Sequence, residues 1–337
     1  SPYKIHNLKD GPDGEYLPYR LAQEAIGFIE DNKDGPFLLF LWNYTVHWPM
    51  QAPAELLKKY EVHKGKRGLN DTRYGAMIEA MDQSIGQILF KLDVLKLTND
   101  TLVIFTSDNG GQQRHGAVNL PLRGGKGSTF EGGMRVPTIA WWPGEIPAGT
   151  ESAAITSMMD ILPTFAKLAG GAPPADRKID GVDIWPVLSG DLNAKPPRET
   201  FYYYRGLKLQ AVRHGAWKLH LRSGELHNLE NDIGEATNVA RENAAVVAKL
   251  RQIAADTKDD LGMDGIGPGC RPLGKVENAK PLIDHDGKPR EGFSQSAIHA
   301  GMGIMIGELT PTSAIAQVRL TQTDQLVNMD VPGIAGI

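Results

Sequence analysis

An acidic residue and an amide follow one another directly after an apolar run of the chain. The run "TLVIFTS" is followed by Asp108, Asn109 and two glycines. Carboxylate and amide oxygens are hard ligands of the kind that hold Ca²⁺ or Mg²⁺ in proteins. Asp-Asn-Gly is also ordinary turn chemistry, and on these few residues alone a turn is the favoured interpretation. Asp108 and Asn109 are therefore candidate ligands of a divalent cation, with a simple turn as the alternative.

A glycine-rich stretch further along the chain supplies positive charge. The segment "LPLRGGKGSTFEGGMRVP" contains Lys126 among five glycines. Glycines let backbone approach an anion closely, and a lysine ammonium is a compact point charge. The glycine spacing does not match a Walker phosphate-binding loop. Because a solvated lysine in a glycine-rich loop is common, Lys126 alone is a weak candidate for an anion site.

A histidine lies in a comparable position after another apolar run. His47 lies between "PFLLFLWNYTV" and Trp48. An imidazole titrates near neutral pH, so it can bind an oxyanion or protonate a leaving oxygen. Packing against the tryptophan is the more common role of a lone histidine of this kind. We expect His115, His214 and His220 to have surface or structural roles.

The elements that must position these residues alternate between helix and strand. Apolar residues at helical spacing predict helices in "LPYRLAQEAIGFIEDN", "DTRYGAMIEAMDQSIGQILFKLDVL" and "MMDILPTFAKLAGG", with Asp71 as the N-cap of the second. The runs "PFLLFLWNYT", "TLVIFTS" and "VPTIAWW" are typical of fully buried strands. This alternation predicts a parallel sheet covered by helices on both faces, with ligand sites beyond the carboxyl ends of its strands.

The pattern changes after about Asp191. "TFYYYRG", "LQAVRHGAWKLHLR" and "GELHNLE" are short alternating segments that predict a small antiparallel sheet. "ENAAVVAKLRQIAADTKDDLG" then has the pattern of one amphipathic helix. We therefore divide the chain into an α/β domain (1–190), a small sheet-and-helix subdomain (191–262), a linker (263–292) and the start of a truncated β-rich domain (293–337).

Composition and charge restrict the classes of partner. The chain has 337 residues and a formal net charge of −4, with a pI of about 6.1. It therefore lacks the basic field that binds nucleic acid or anionic membrane without specificity. No apolar stretch is long enough to span a bilayer. A single cysteine, Cys270, excludes an internal disulfide framework, and the oligomeric state stays open.

In their order along the chain, these segments resemble the sulfatase family, and the arylsulfatase type in particular. The resemblance covers roughly residues 1–260 and rests on "YGAMIEAMDQSIGQIL", "VIFTSDNGG", "PLRGGKGSTFEGGMRVP", "SMMDILPTFAKLAG", "DGVDIWPVLSG" and "ELHNLENDIGEATNVA". It implies an alkaline phosphatase-like α/β/α sandwich, here lacking N-terminal strands, with a small C-terminal subdomain of antiparallel sheet plus helix. It also implies a sulfuric ester hydrolase that removes sulfate from an alcohol or a sugar ester.

The resemblance implies roles for four residues. Asp108 and Asn109 match two ligands of a divalent cation, usually calcium. Lys126 matches the lysine that contacts the sulfate, and His47 matches the histidine that binds sulfate and protonates the departing alcohol. The implied substrate is a sulfated small molecule or glycan, and the implied location is the periplasm or the outside of the cell.

One part of the sulfatase pattern is absent from this sequence. Sulfatases attack with a hydrated formylglycine made from the cysteine of a C-x-P-x-R or C-x-A-x-R motif. Neither that motif nor a pair of metal-binding aspartates precedes His47, and Cys270 has Gly274 where the motif has arginine. We therefore expect a fragment that lacks the nucleophile and by itself hydrolyses sulfate esters poorly or not at all. A degenerate, noncatalytic relative is the second explanation.

Two other functions remain open from the sequence. A phosphatase or phosphodiesterase on the related fold would differ in its metal and would use a Ser or Thr nucleophile. A noncatalytic module that binds sulfated glycans would retain Lys126 and His47 without turnover. The tail segment "GELTPTSAIAQVR" also resembles the opening of the β-sandwich ahead of alkaline phosphatase D-like metallophosphatases, with a generic β-rich linker domain as the alternative.

Overall fold

The computed structural model describes residues 8, 11–63, 71–173, 175, 179–191, 193–206, 208–261, 304–310 and 313–314. The predicted linker at 263–292 and Cys270 lie outside these residues. Most of the predicted β-rich tail lies outside them as well. What the sequence predicts for those segments stays a prediction.

The helices of the described residues agree with the apolar periodicity of the sequence. They are α1 (Leu17–Asn32), α2 (Ala54–Glu61), α3 (Thr72–Val94), α4 (Glu131–Met134), α5 (Ile161–Leu168), α6 (Trp185–Leu188) and α7 (Ala244–Leu261). The predictions for α1, α3, α5 and α7 are confirmed. Asp71 caps α3 as predicted, because its side chain accepts a hydrogen bond from the Arg73 N–H at 2.9 Å. None of the described helices is long and apolar enough to cross a membrane.

The strands of the described residues form three sheets. They are β1 (Phe37–Leu41), β2 (Val103–Thr106), β3 (Thr138–Trp141), β4 (Thr200–Arg205), β5 (Lys208–His214), β6 (Trp217–His220), β7 (Leu226–Asn228), β8 (Ile304–Thr310) and β9 (Ser313–Ala314). β1 pairs with β8 and β8 with β9, β2 pairs with β3, and β4 to β7 follow one another in order. The small antiparallel sheet predicted after Asp191 is thereby confirmed.

The prediction of parallel strands is wrong for the pairs that the structure describes. β2 and β3 run antiparallel, with Val103 opposite Trp141 and Thr106 opposite Thr138. A parallel pair needs a crossover connection, usually a helix that packs on the sheet. The chain between β2 and β3 instead forms loops with only short helical turns, and it returns beside β2 in the opposite direction.

The prediction of fully buried strands is wrong as well. The residues of β1 and β2 are only partly buried, and Ile139 in β3 is 60% exposed. A continuous apolar run indicates that a strand has apolar side chains on both faces and can be buried on both. How much it does bury depends on the neighbours that cover it, and the described residues cover these strands only in part.

The small sheet packs one face against α7. Val212, Leu219 and Leu226 are fully buried there against Leu250 and Ala254 of the helix. These apolar residues alternate along the strands with polar ones, which therefore lie on the opposite face of the sheet. That opposite face supports the candidate site.

β8 lies in the segment that the sequence predicts as the start of a separate β-rich domain. It pairs antiparallel with β1, with Leu41 opposite Ile304 and Phe37 opposite Glu308. This pairing joins a strand of the tail to the first strand of the α/β part. The division of the chain into four parts stays a prediction.

Candidate active site

The two predicted cation ligands lie in the turn after β2. This turn begins with Ser107, whose hydroxyl donates to the Asn109 carbonyl oxygen at 3.0 Å. The Asp108 side chain is exposed and Asn109 is half-buried. Both oxygen-bearing side chains therefore lie together at the end of β2.

The glycine-lysine loop (residues 120–137) packs directly against this turn. The Lys126 N–H donates to the Gly111 carbonyl oxygen at 3.2 Å. The Gly110 N–H donates to the Gly133 carbonyl oxygen at 3.0 Å. The Lys126 side chain is exposed. The structure thus brings the predicted anion-binding lysine and the predicted cation ligands to one region of the molecule.

One asparagine side chain joins the two loops. The Asn119 Oδ1 accepts the Gly111 N–H at 2.9 Å, and its Nδ2 donates to the Gly111 carbonyl oxygen at 2.9 Å. The same Nδ2 lies 3.1 Å from the Gly124 carbonyl oxygen. An amide is suited to this role because it both donates and accepts hydrogen bonds. Asn119 therefore fixes the spacing between the turn and the glycine-lysine loop.

Replacing Asn119 by alanine should loosen the contact between the two loops. The change leaves one half-buried N–H and two carbonyl oxygens without their side-chain partner. We expect the free energy of unfolding to fall by about 1–3 kcal/mol. Urea denaturation followed by circular dichroism measures this loss. Asn231→Ala is the control, because Asn231 is exposed, and a loss as large in that variant would contradict the assigned role.

The structure places His47 in the loop that follows β1. Its Nδ1 lies 2.7 Å from the Trp48 carbonyl oxygen. When Nδ1 donates to this oxygen, Nε2 is the ring nitrogen that can act on a ligand. Trp48 is 64% exposed, so the histidine and tryptophan are not part of a packed core. No hydrogen bond joins His47 to the other three predicted site residues in the part of the chain that the structure describes.

The number of ligands limits how a metal ion can be held. No group of three or more His, Cys, Asp or Glu side chains within the described ranges could hold a metal ion. Asp108 and Asn109 fit a hard cation in kind, since Ca²⁺ takes carboxylate and amide oxygens, but it takes about six to eight of them. The pair therefore accounts for two ligands, and calcium binding stays a proposal.

A cluster of buried charges lies behind the glycine-lysine loop. The Lys218 side chain has no exposed surface, and its Nζ lies 2.8 Å from Oε1 of Glu131 and 3.0 Å from Oε1 of Glu235. The Tyr203 hydroxyl donates to Oε1 of Glu131 at 2.8 Å. The His220 Nε2 lies 2.8 Å from Oε1 of Glu235. We call these five residues the buried charge cluster.

The surroundings shift two pKa values within the buried charge cluster. Burial and the Glu131 carboxylate raise the pKa of Tyr203 well above its usual value, so its hydroxyl stays protonated as a donor. Burial acts to raise the pKa of Glu235, but the His220 hydrogen bond, the Lys218 charge and a backbone N–H together lower it. Glu235 is therefore ionised near neutral pH and can pair with Lys218.

Sequence reasoning missed Asn119 and the buried charge cluster. Lys218 and His220 alternate with Trp217 and Leu219, a pattern that normally indicates one buried face and one face in solvent. The signal that could have found the cluster is the occurrence of lysine, histidine and tyrosine on the polar faces of neighbouring strands. The structural role expected for His220 agrees with its burial.

The fold and the site define a class of protein. Helices beside an α/β core, followed by a small antiparallel sheet with a packed helix, form the alkaline phosphatase-like fold of the solved sulfatases. Residues 2–172 match the family described as Sulfatase. Residues 125–260 match the family described as N-sulphoglucosamine sulphohydrolase, C-terminal. The chain belongs to the sulfatase family.

Several known proteins are similar to this chain. N-acetylgalactosamine-6-sulfatase of Canis lupus familiaris is 42% identical over 64% of this chain and 40% of its own length. Steryl-sulfatase of Rattus norvegicus is 42% identical over 62% of this chain and 35% of its own length. The crystal structure of Ps i-CgsB has a TM-score of 0.66 and 32% identity, covering 77% of this chain and 59% of that one. The chain thus spans well under half the length of these two curated relatives.

Proposed function

We propose that this chain forms part of a sulfuric ester hydrolase that removes sulfate from an alcohol or a sugar ester. The observation that supports this most directly is the hydrogen bond from the Lys126 N–H to the Gly111 carbonyl oxygen. It holds a loop with a compact positive charge against the turn that carries the oxygen ligands Asp108 and Asn109. A cation and an ammonium group side by side are suited to a tetrahedral anion such as a sulfate ester.

The proposed roles follow from where charge develops as the ester breaks. Negative charge gathers on the bridging oxygen when the S–O bond cleaves, and electrostatic stabilisation of that charge lowers the barrier. Lys126 would bind a nonbridging sulfate oxygen, and His47 would protonate the departing alcohol. Asp108 and Asn109 would hold a divalent cation, which supplies Lewis-acid polarisation of the sulfate when bound.

The nucleophile is the part of this proposal that the sequence does not supply. Formylglycine is made from a cysteine, and the single cysteine of the chain, Cys270, lacks the arginine of the motif. We propose that the nucleophile and further cation ligands come from protein sequence encoded upstream of Ser1. By itself the chain should then hydrolyse sulfate esters poorly or not at all. Sequencing the DNA before the Ser1 codon tests this, and an upstream frame without C-x-[PA]-x-R and paired aspartates contradicts it.

The names of the relatives support a sulfated sugar or another sulfated alcohol as the substrate. One relative is an N-acetylgalactosamine-6-sulfatase and another is a steryl-sulfatase. Ps i-CgsB is also known in complex with k-i-k-neocarrahexaose. We propose a sulfated glycan or a sulfated small molecule as the substrate class. We propose the periplasm or the outside of the cell as the location of the protein.

Titration of the full chain with sodium sulfate tests the proposed anion site. With calcium chloride present and ionic strength held constant, sulfate should shift the backbone amide NMR signals of residues 124–127. Lys126→Ala should weaken sulfate binding at least about tenfold, because it removes a charged hydrogen bond to the anion. Lys58→Ala is the matched control, since Lys58 is also an exposed lysine and lies on α2. Its sulfate affinity should equal that of the unchanged chain.

Two outcomes would count against the proposal. Equal sulfate affinity in the Lys126→Ala variant and the unchanged chain would remove Lys126 from the anion site. Inorganic phosphate that binds at least about tenfold more tightly than sulfate would favour the phosphatase alternative over the sulfatase.

A further inference from the structure

The small sheet contacts the glycine-lysine loop through fully buried charges. Glu131 is the first residue of α4, and its side chain accepts hydrogen bonds from Lys218 and Tyr203, both at 2.8 Å. Its backbone N–H donates to Oε2 of Glu235 at 2.6 Å. Side chain and backbone of Glu131 are thus both bound by residues of the small subdomain.

The same subdomain also holds the other end of the loop. The Arg123 Nη1 donates to the Glu235 carbonyl oxygen at 2.9 Å. Its guanidinium lies 4.0 Å from the centre of the Phe130 ring, which in turn lies 4.5 Å from the centre of the His220 ring. Lys126 therefore lies in a segment whose two ends both contact the buried charge cluster.

The glycine-lysine loop also contacts the turn that contains the cation ligands. The Gly132 N–H donates to the Arg123 carbonyl oxygen at 2.8 Å, which closes the loop on itself. The neighbouring Gly133 carbonyl oxygen accepts the Gly110 N–H at 3.0 Å, directly after Asp108 and Asn109. A displacement of Glu131 would therefore move the glycine-lysine loop and the turn together.

The energetics of such a cluster favour a role in geometry over a role in net stability. Burying charges carries a desolvation penalty that often equals or exceeds their mutual attraction, so apolar residues of similar size would stabilise as well. The charges instead specify one conformation of the loop, because each of their hydrogen bonds is satisfied in only one arrangement. Tyr203, Lys218 and Glu235 meet Glu131 in such an arrangement.

We propose that Tyr203, Lys218 and Glu235 are positioning residues that act through Glu131. They set where the glycine-lysine loop presents Lys126 and where the turn presents its oxygen ligands. This inference rests on the proposed function for what the loop binds, while the mechanical link itself does not. The small sheet is then part of the working site and not only a C-terminal appendage.

Backbone amide hydrogen exchange of the full chain measures the mechanical link directly. Three backbone amides measure this link, those of Gly110, Lys126 and Gly132. Each donates a hydrogen bond that holds the loop closed or holds it against the turn. Tyr203→Phe removes one hydroxyl that donates to a buried carboxylate and keeps the ring. We expect these amides to exchange about tenfold faster in this variant, with exchange in α3 unchanged.

Tyr204→Phe is the matched control in the next position of β4. The Tyr204 hydroxyl is buried and meets no hydrogen-bond partner among the described residues. Removing it should therefore leave exchange at Gly110, Lys126 and Gly132 unchanged. Lys218→Met is the stronger variant, and Tyr203→Phe keeps the test decisive where Lys218→Met does not fold.

Sulfate titration provides a readout that a purely structural role does not move. In Tyr203→Phe the Kd for inorganic sulfate should rise about tenfold while the chain stays folded, and in Tyr204→Phe it should not change. Unchanged exchange at the three amides, equal acceleration throughout the chain, or an unchanged Kd would each overturn the positioning role. If the unaltered chain binds no sulfate, the anion site proposed at Lys126 fails, and the exchange result alone decides the link between the sheet and the loop.

Discussion

Asp160→Asn should lower the free energy of unfolding by about 3–5 kcal/mol, because it breaks a buried ion pair on one side. The Asp160 side chain has no exposed surface and pairs with Arg198, which is 11% exposed. Its two oxygens also accept the Ser157 N–H at 2.7 Å and the Val182 N–H at 3.0 Å. An amide in its place cannot accept all of these bonds and leaves the guanidinium without a counter-charge. Urea denaturation followed by circular dichroism measures the loss.

The control for this prediction is an ion pair at the surface. Lys91 Nζ lies 2.6 Å from Oε1 of Glu30, whose side chain is 47% exposed. Solvent screens this pair, so Glu30→Gln should change stability by no more than about 1 kcal/mol. Equal losses in the two variants would show that burial does not determine the strength of the Asp160 pair.

The helices and the small sheet could be predicted because their signals are local. In α1, Leu21, Ala25 and Ile29 recur at helical spacing, and the structure buries all three. The N-cap at Asp71 is likewise decided within a few residues, because its side chain accepts a hydrogen bond from the N–H of Arg73. Such features depend on the chain's own neighbours in sequence, so a single sequence contains them.

Strand direction and strand burial could not be predicted because they depend on distant partners. The run "TLVIFTS" has the same pattern whether its neighbour is parallel or antiparallel. Among the described residues β2 pairs with β3, and the two run antiparallel. β1 finds a described partner only in β8, far along the chain. Apolar content indicates that a strand is stabilised by burial, but it does not indicate which segment buries it.

The sequence indicates the residue types of the candidate site, but it does not indicate the buried residues that hold the site's loops in place. The sequence offers Asp108, Asn109 and Lys126 as candidates by residue type, and the structure brings their loops together. Their roles stay a prediction. Lys218 lies in an alternating strand, where a charged residue normally indicates the solvent face. It is buried because α7 covers one face of the small sheet and the glycine-lysine loop covers the other. Only the tertiary structure contains that second cover.

Gly110→Ala should separate the turn from the glycine-lysine loop and lower the free energy of unfolding by about 3 kcal/mol or more. A Cβ at position 110 would overlap the Gly132 carbonyl oxygen and lie 2.9 Å from the Gly133 Cα. Both neighbours are backbone, so no side-chain rotation can relieve the overlap. The Gly110 N–H would also lose its bond to the Gly133 carbonyl oxygen. Urea denaturation measures the loss, and sulfate titration should show weaker binding than in the unchanged chain.

Gly86→Ala is the matched control and should act in the opposite direction. Gly86 lies within α3, and a Cβ there would meet nothing within 4 Å. Alanine reduces the conformational freedom of the unfolded chain and favours the helix, so we expect a gain of about 0.5–1 kcal/mol. Unchanged stability in Gly110→Ala would mean that the loops can separate without loss. The close contact at Gly110 would then have no part in holding Lys126 beside Asp108 and Asn109.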